Sequence, residues 1–426
     1  MSFSSIIAGT SHKILIPPIS KNMKLISSLS IIIIALSSCE QEKSVPREID
    51  FTTRYKFSSE IEERVNKDTT VWKYQMSAVD YATKGDHKNA LIHWDLAMGG
   101  REVNYTQSQI DSINNIYRKV SAHDYILERA KNEQMIIINE AHHNSFHRFF
   151  TKSLLKDLFE LGYRNLGLEA LVNGTEKDSL LSERKYPTNS TGLYISEPQF
   201  GNLVRDALEI GYNVFPYEQT SGVNNAEREI EQAKYIEEIV RKNPGEKFLI
   251  HCGYDHAYEG KHGWWGKAMA GRLKEYTNID PFTINQTSYD EKGDPKLRHP
   301  LAKAISPKES SVLLDAEDQP VQSKSGEAYT DLTLLHPNTQ YEDNRPGWLF
   351  NGDNLRTEVE LTEFKSMFPV LVMAFSEGED INQAIPVDIL EVKDENKKAY
   401  LALPKGVYNV VVTNKRQSFE FKKEVN

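Results

Sequence analysis

Two cysteines in 426 residues are too few to staple this chain together. Cys39 closes an apolar stretch near the start and Cys252 closes another far downstream, so no disulfide framework is expected. No cluster of Lys or Arg stands out, and a formal charge of −10 leaves no basic face for nucleic acid. No apolar run comfortably reaches the roughly 20 residues of a membrane-spanning helix. Missing too are H-E-x-x-H, G-x-S-x-G, G-x-x-x-x-G-K-[ST] and G-x-G-x-x-G, which argues against a zincin helix, a serine nucleophile elbow and a nucleotide-binding loop. What remains is an ordinary globular balance, 39% apolar and 26% charged, on a chain long enough for two or more domains.

The most apolar stretch lies in MKLISSLSIIIIALSSC, residues 23–39. Lys24 supplies a positive start, residues 25–36 an apolar centre, and Ser37-Ser38 the small residues before a cut, which is the layout of an export signal. An ordinary secretory signal or a short anchor helix shares these features. The LSSC ending resembles the bacterial lipobox, which implies lipidation at Cys39, an envelope location and a membrane contact through the lipid anchor. Residues 1–22 are then an upstream extension, 23–38 the signal peptide, and 39–67, polar and aperiodic, a linker. With Cys39 acylated, Cys252 has no partner.

Residues 68–130 read as a helical hairpin. Ala90, Trp94 and Ala97 fall at i, i+4 and i+7, and Gly85-Asp86 separates them from a preceding helix. The G-D-x-x-x-A-L-x-x-W-x-x-A spacing resembles a single tetratricopeptide hairpin; a lone copy is expected to pack on its neighbouring domain. From residue 131 to 340 strands alternate with helices: QMIIIN, NLGLEA, NVFPYE, KFLIHC and DPFTIN are strands, each followed or preceded by a helical pattern, and residues 171–195 form an excursion. The expectation is an α/β domain with a mostly parallel sheet flanked by helices. Residues 341–426 carry short strands with turn signals between them, consistent with a small antiparallel β-sandwich. Arg345 and Trp348 at the junction are read as structural.

Ligands of open α/β sheets sit beyond the carboxyl ends of the strands. Four successive strands end in ionisable groups: Glu140 with His142 and His143, Glu169, Glu218, and the HCGYDHAYEG segment with His251, Tyr254, Asp255, His256 and Tyr258. Blander readings stand beside the functional one. Glu140 can cap the next helix, only one of His142 and His143 is expected to face the crevice, His147 suits a surface position, His251 a core histidine, and Glu218 a simple pair with Arg228. Two chemistries fit the set. One is hydrolysis, with a histidine base oriented by a carboxylate and an Arg or second His facing developing negative charge. The other is metal or cofactor binding, with His142, Glu169 and His256 as candidate ligands of a divalent metal, or a His or Tyr on haem iron.

IIINEAHHN resembles the G-E-x-H strand end of the ChaN-like haem-binding-uptake/Tiki superfamily, with Asn139 in place of Gly, and is similar to the G-E-A-T-H-G of erythromycin esterase-like proteins. LGLEAL resembles the second-strand glutamate of both, HCGYDHA matches the ChaN-type G-x-x-H through Gly253 and His256, and AEREIEQA is similar to an Arg-bearing helix, with Arg228 as the counterpart. The resemblance covers roughly residues 130–290. It implies an α/β core whose site, at the strand ends, takes a small-molecule ligand or substrate. ChaN-like spacing selects His142 and esterase-like spacing selects His143. Members include an antibiotic esterase, metal-dependent proteases and haem-binding lipoproteins. The resulting expectation is a His/Glu hydrolase-like site for an ester or peptide, with or without a metal, built from Glu140, His142 or His143, Glu169, Arg228 and His256, with Glu218, Tyr254, Asp255 and Tyr258 at the ligand. The alternative is an envelope haem or small-ligand carrier without catalysis, with His256, Tyr254 or Tyr258 as contacts.

Overall fold

Met135–Glu140 is apolar through its first four residues because both of its faces are covered. Ile136 and Ile138 point into one core, with Leu166, Leu168, Leu249 and Ile284. Met135 and Ile137 point into the other, with Phe215, Phe248, Ile250 and Cys252. The period-2 alternation thus splits one strand between two apolar layers, as a buried parallel sheet requires. The computed structural model describes residues 45–426. Cys39, the expected signal peptide and the expected upstream extension lie outside the described residues. No helix among the described residues is long and apolar enough to cross a membrane.

The chain is mixed α/β. Its main sheet has eight strands in the order Arg118–Ser121, Ser311–Leu314, Leu332–Leu335, Phe282–Asn285, Met135–Glu140, Lys247–Gly253, Tyr163–Leu168 and Asn213–Pro216. The six strands from Leu332–Leu335 onward pair in parallel, and the first two pair antiparallel. Helices Ala122–Ala130, Ser145–Glu160 and Pro198–Ile210 contribute to one core, and helices Asn225–Lys242 and Met269–Thr277 to the other. The strand Arg118–Ser121 and the helix after it therefore belong to the α/β layer, which corrects the helical segment expected to run to residue 130.

Lys73–Thr83 and His87–Met98 form the expected hairpin around Gly85, and helix Ser58–Lys67 joins them through Ile61, Tyr81, Ala82 and Ala90. The hairpin packs on the α/β domain. Residues 45–67 are not a linker. Arg47–Glu48 pairs with Ser418–Val425, and Phe51, Tyr55 and Phe57 are buried against Leu371, Met373 and Phe375. The apolar face they cover belongs to a five-stranded antiparallel sheet with Gly406–Thr413, Val370–Ser376 and Asp388–Val392. A two-stranded ribbon, Leu355–Val359 with Ala399–Leu403, shares a core with the opposite face.

Candidate functional site

Glu140 ends its strand 1% exposed, which is affordable only with a counter-charge in place. Arg148, one turn into the following helix and equally buried, supplies it: Nε binds Oε2 and Nη2 donates to Oε1 at 2.8 Å. Asn144 caps that helix through the Phe146 N–H, so Glu140 is free of capping duty. Arg148 Nη1 also donates to Glu197 at 3.2 Å, and Glu197 in turn caps helix Pro198–Ile210. Burial works against ionisation of Glu140, but Arg148 and His142 outweigh it and hold the carboxyl well below its ordinary range. His142 Nδ1 sits 2.9 Å from Glu140 Oε1, while Arg148 also grips the His142 carbonyl. The Glu140 carboxylate can only accept, so in the neutral ring it selects the tautomer with the proton on Nδ1 and Nε2 as the acceptor.

A second charged group faces this pair. Glu169 Oε2 accepts the Gly253 N–H at 2.5 Å, and Oε1 accepts from Arg228 Nη2 at 2.6 Å. Burial alone would raise the Glu169 pKa; His256, Arg228, His142 and the Gly253 N–H bring it down to about 2. Arg228 also spans Glu218, with Nε at 2.9 Å and Nη2 at 2.5 Å, and Gln232 adds a donor to the same carboxylate. Arg228 Nη1 lies 2.7 Å from His256 Nε2, and His256 Nδ1 lies 2.8 Å from Glu229 Oε2, which also accepts the Met269 N–H. Burial disfavours a charged His256, yet Glu169 and Glu229 lift its pKa above the ordinary value. The Arg228 contact, however, requires an unprotonated Nε2, so in this arrangement the ring is neutral with its proton on Nδ1. Protonation at Nε2 and the Arg228 hydrogen bond exclude each other.

The two groups meet over Gly253. A Cβ built there would collide with the His142 ring, lying 2.8 Å from Nε2 and 3.4 Å from Glu169 Oε2. Aromatic rings wall the site. Tyr194 stacks on His142 at 4.0 Å between centroids, and Tyr254 meets it edge-on at 5.0 Å. Trp265 stacks on His256 at 5.2 Å. The excursion delivers Tyr194 because its ends close on each other, Leu171 bridging Gly192, where a side chain would strike the Ala170 carbonyl. His142 and Arg228 keep 18% and 27% side-chain exposure while Glu140 and Arg148 keep 2% and 1%. Charge is anchored underneath and presented at the surface.

The structure brings Glu140, His142, Glu169, Glu218, Arg228 and His256 to one edge. It does not bring His143, which is fully buried, stacked on Trp94 at 4.2 Å and 3.6 Å from Asp290; burial takes its pKa down to about 3. Asp255 turns to His262, and the Tyr258 hydroxyl binds Ser323, so neither faces the crevice. Tyr254 reaches the site with its ring, its hydroxyl pointing to His143 at 3.4 Å. His147 is buried, accepting the Ala141 N–H, rather than on the surface. His251 lies in the core against Phe200. Cys252 is a buried thiol that burial pushes well above its ordinary pKa, which leaves no thiolate for nucleophilic work. The triad His142, Glu169 and His256 is not arranged for a metal: both His256 nitrogens are engaged, and Arg228 occupies the Glu169 oxygen that faces them. Among the described residues no group of His, Cys, Asp and Glu is placed to hold a metal ion.

Four partners escape sequence reasoning: Arg148, Glu197, Glu229 and Tyr194. Glu229 carries the one local signal, adjacency to Arg228, and it begins the buried stripe Glu229, Gln232, Ala233, Ile236 and Val240 of that helix.

No protein-family model matches the chain, and no curated protein matches it. Among solved structures the chain is similar to RRSP, a MARTX toxin effector domain from Vibrio vulnificus, at 17% identity over 52% of this chain and 48% of that one, with a TM-score of 0.29. The type III effector HopBA1 shows 11% identity over 43% and 94%, at 0.31. The third is a Pasteurella multocida toxin structure with a thiol-protease-like catalytic triad in its C-terminal region, at 10% identity over 83% and 58%, at 0.30. The chain spans about half the length of the first of these. At such scores the likenesses carry no conclusion about activity.

Proposed function

We propose that this chain is an envelope lipoprotein with a His/Glu hydrolase-like site at the carboxyl edge of its parallel sheet, acting on an ester or peptide bond, in line with the ChaN/Tiki and erythromycin-esterase resemblance. The observation that carries the reading is the His142 imidazole, bonded through Nδ1 to a buried, ionised Glu140 and open at Nε2 toward Glu169 and Gly253. His142 Nε2 takes a proton from a water molecule, whose oxygen attacks the substrate carbonyl carbon. Glu140 stabilises the imidazolium that forms. Of the five Arg228 N–H groups, four are committed to Glu169, Glu218 and His256, and the remaining one on Nη1 is available to the developing oxyanion. His142 then returns the proton to the leaving oxygen or nitrogen as the tetrahedral intermediate collapses. The C-terminal sheet and its ribbon, read as a small sandwich, and the tetratricopeptide-like hairpin are accessory.

Glu169→Ala and His256→Ala are expected to abolish turnover in a screen of ester and peptide substrates while far-UV circular dichroism stays native. Turnover surviving in both variants would remove Glu169 and His256 from the chemistry. Incorporation of labelled palmitate, lost in Cys39→Ala, tests the lipid anchor. A second reading rests on the same open atom, since His142 Nε2 is also a ligand atom for haem iron. A Soret band on haem titration, lost in His142→Ala, would replace hydrolysis with carriage.

A further inference from the structure

At the turn of the helical hairpin a cavity of about 380 Å³ opens between the Gly85 turn, the 343–345 turn and the strand Asp388–Val392 with its following loop. We propose that it binds a phosphate-bearing small molecule. Its volume is of small-ligand size. Six cationic side chains line it, Lys84, Lys88, Arg345, Lys393, Lys397 and Lys398, against four carboxylates. That excess of positive charge sits on a chain whose formal charge is −10.

Local pairing accounts for only part of the excess. Lys84 is buried against Glu391, Arg345 against Asp388, and Lys398 reaches Glu358 at 3.1 Å. Asp343 is drawn away to Arg356. Lys88, Lys393 and Lys397 line the cavity without a carboxylate at ion-pair distance among the described residues; Lys88 lies over the Tyr341 ring at 6.0 Å. Two further features favour an anion over solvent alone. Arg345 is 3% exposed and its Nε–H has no hydrogen-bond partner, an unmet donor in the lining. Helix His87–Met98 also begins here, and its cap Asp86 takes up the Asn89 N–H while the His87 and Lys88 N–H groups open the first turn. Lysines free to move, a fixed guanidinium and a helix start together make a phosphate cradle, and such a group is equally present on a free solute and on a lipid headgroup.

The test uses the full-length chain in non-ionic detergent, with inorganic pyrophosphate as the soluble probe and phosphatidylglycerol mixed micelles as the lipid probe, both followed by titration calorimetry. Lys393 and Lys397 are exposed, so Lys393→Ala/Lys397→Ala leaves the fold intact. Lys308→Ala/Lys365→Ala removes the same charge from exposed positions outside the cavity. The expected result is one saturable site that the first double variant weakens by about tenfold or more, each charge-assisted bond being worth about that factor, and that the second leaves unchanged. Saturation by pyrophosphate alone assigns a free solute, and saturation by phosphatidylglycerol alone assigns a headgroup. Absence of saturable binding to both probes, or equal weakening by both double variants, overturns the proposal.

Discussion

The imidazole of His142 rests on the bare Cα of Gly253, with Nε2 2.8 Å from where a Cβ would stand. Gly253 is in ordinary extended backbone, so its glycine is demanded by the neighbouring ring and not by its own dihedrals. Gly253→Ala must push His142 off Tyr194 or off Glu140. The substitution adds one methyl against a partly exposed ring that can move aside, so melting should fall by only a few degrees, on the order of 1–2 kcal/mol. Turnover, or haem binding under the second reading, should be lost. The His142 ring nitrogens, observed by ¹⁵N NMR, should shift as the Glu140 bond breaks; unchanged signals would refute the close approach.

Arg148 is the counter-charge for Glu140 and Glu197 at once. Arg148→Leu fills similar space without charge and strands two buried carboxylates, a loss of about 3–5 kcal/mol. Urea unfolding should show the midpoint falling at constant slope. A change below about 1 kcal/mol would mean that water reaches these carboxylates.

Glu169 sets an acid limit on the fold. Its carboxyl is depressed from an ordinary 4.5 to about 2. A depressed acid stabilises the fold above the unfolded pKa, and that contribution disappears as pH falls through the folded one. The shift corresponds to about 3 kcal/mol at neutral pH, lost between about pH 4.5 and about pH 2. Glu169→Gln should be less stable near neutrality and show a flatter stability profile across that window. Parallel profiles for the two proteins would place the acid sensitivity elsewhere.

The carboxylates of the site are legible in the sequence because a doubly buried strand is a continuous apolar run, and the residue that breaks it marks the sheet edge. Glu140, Glu169 and Glu218 are found this way. Arg148 is hidden, since HRFF reads as an ordinary amphipathic helix start and its burial depends on Glu197, which returns from the excursion 49 residues later. His142 and His143 are indistinguishable by type; the turn between strand and helix decides which one enters the core. Phe51, Tyr55 and Phe57 show no period because they cover a sheet formed more than three hundred residues downstream, and no local pattern carries that information.

Trp94 links the helical hairpin to the site. Its indole stacks on His143 at 4.2 Å and lies 5.8 Å from Tyr254, whose ring meets His142. Tyr254 holds a left-handed backbone conformation, φ 38°, that packing must enforce. Trp94→Ala should cost about 1–3 kcal/mol and loosen Tyr254. Trp94→Phe should recover most of that stability and restore the His142 ring signals. If Trp94→Ala leaves those signals in place, the hairpin is only a neighbour of the site.

His142 and His143 are adjacent, and their replacement should have opposite consequences. His142 is partly exposed and bonded to Glu140, so His142→Ala removes the proposed base with little packing loss, and stability should stay within about 1 kcal/mol of the parent. His143 is fully enclosed beside Trp94 and Asp290, so His143→Ala opens a cavity and should cost about 2–4 kcal/mol. Because burial takes the His143 pKa down to about 3, the ring stays neutral across the physiological range and offers no titration there. Its loss should lower the amount of folded protein while leaving the turnover of each folded molecule close to the parent. Active-site titration alongside denaturant unfolding separates the two effects. A stable, inactive His143→Ala together with an active His142→Ala would reverse the assignment and favour the esterase-like spacing over the ChaN-like one.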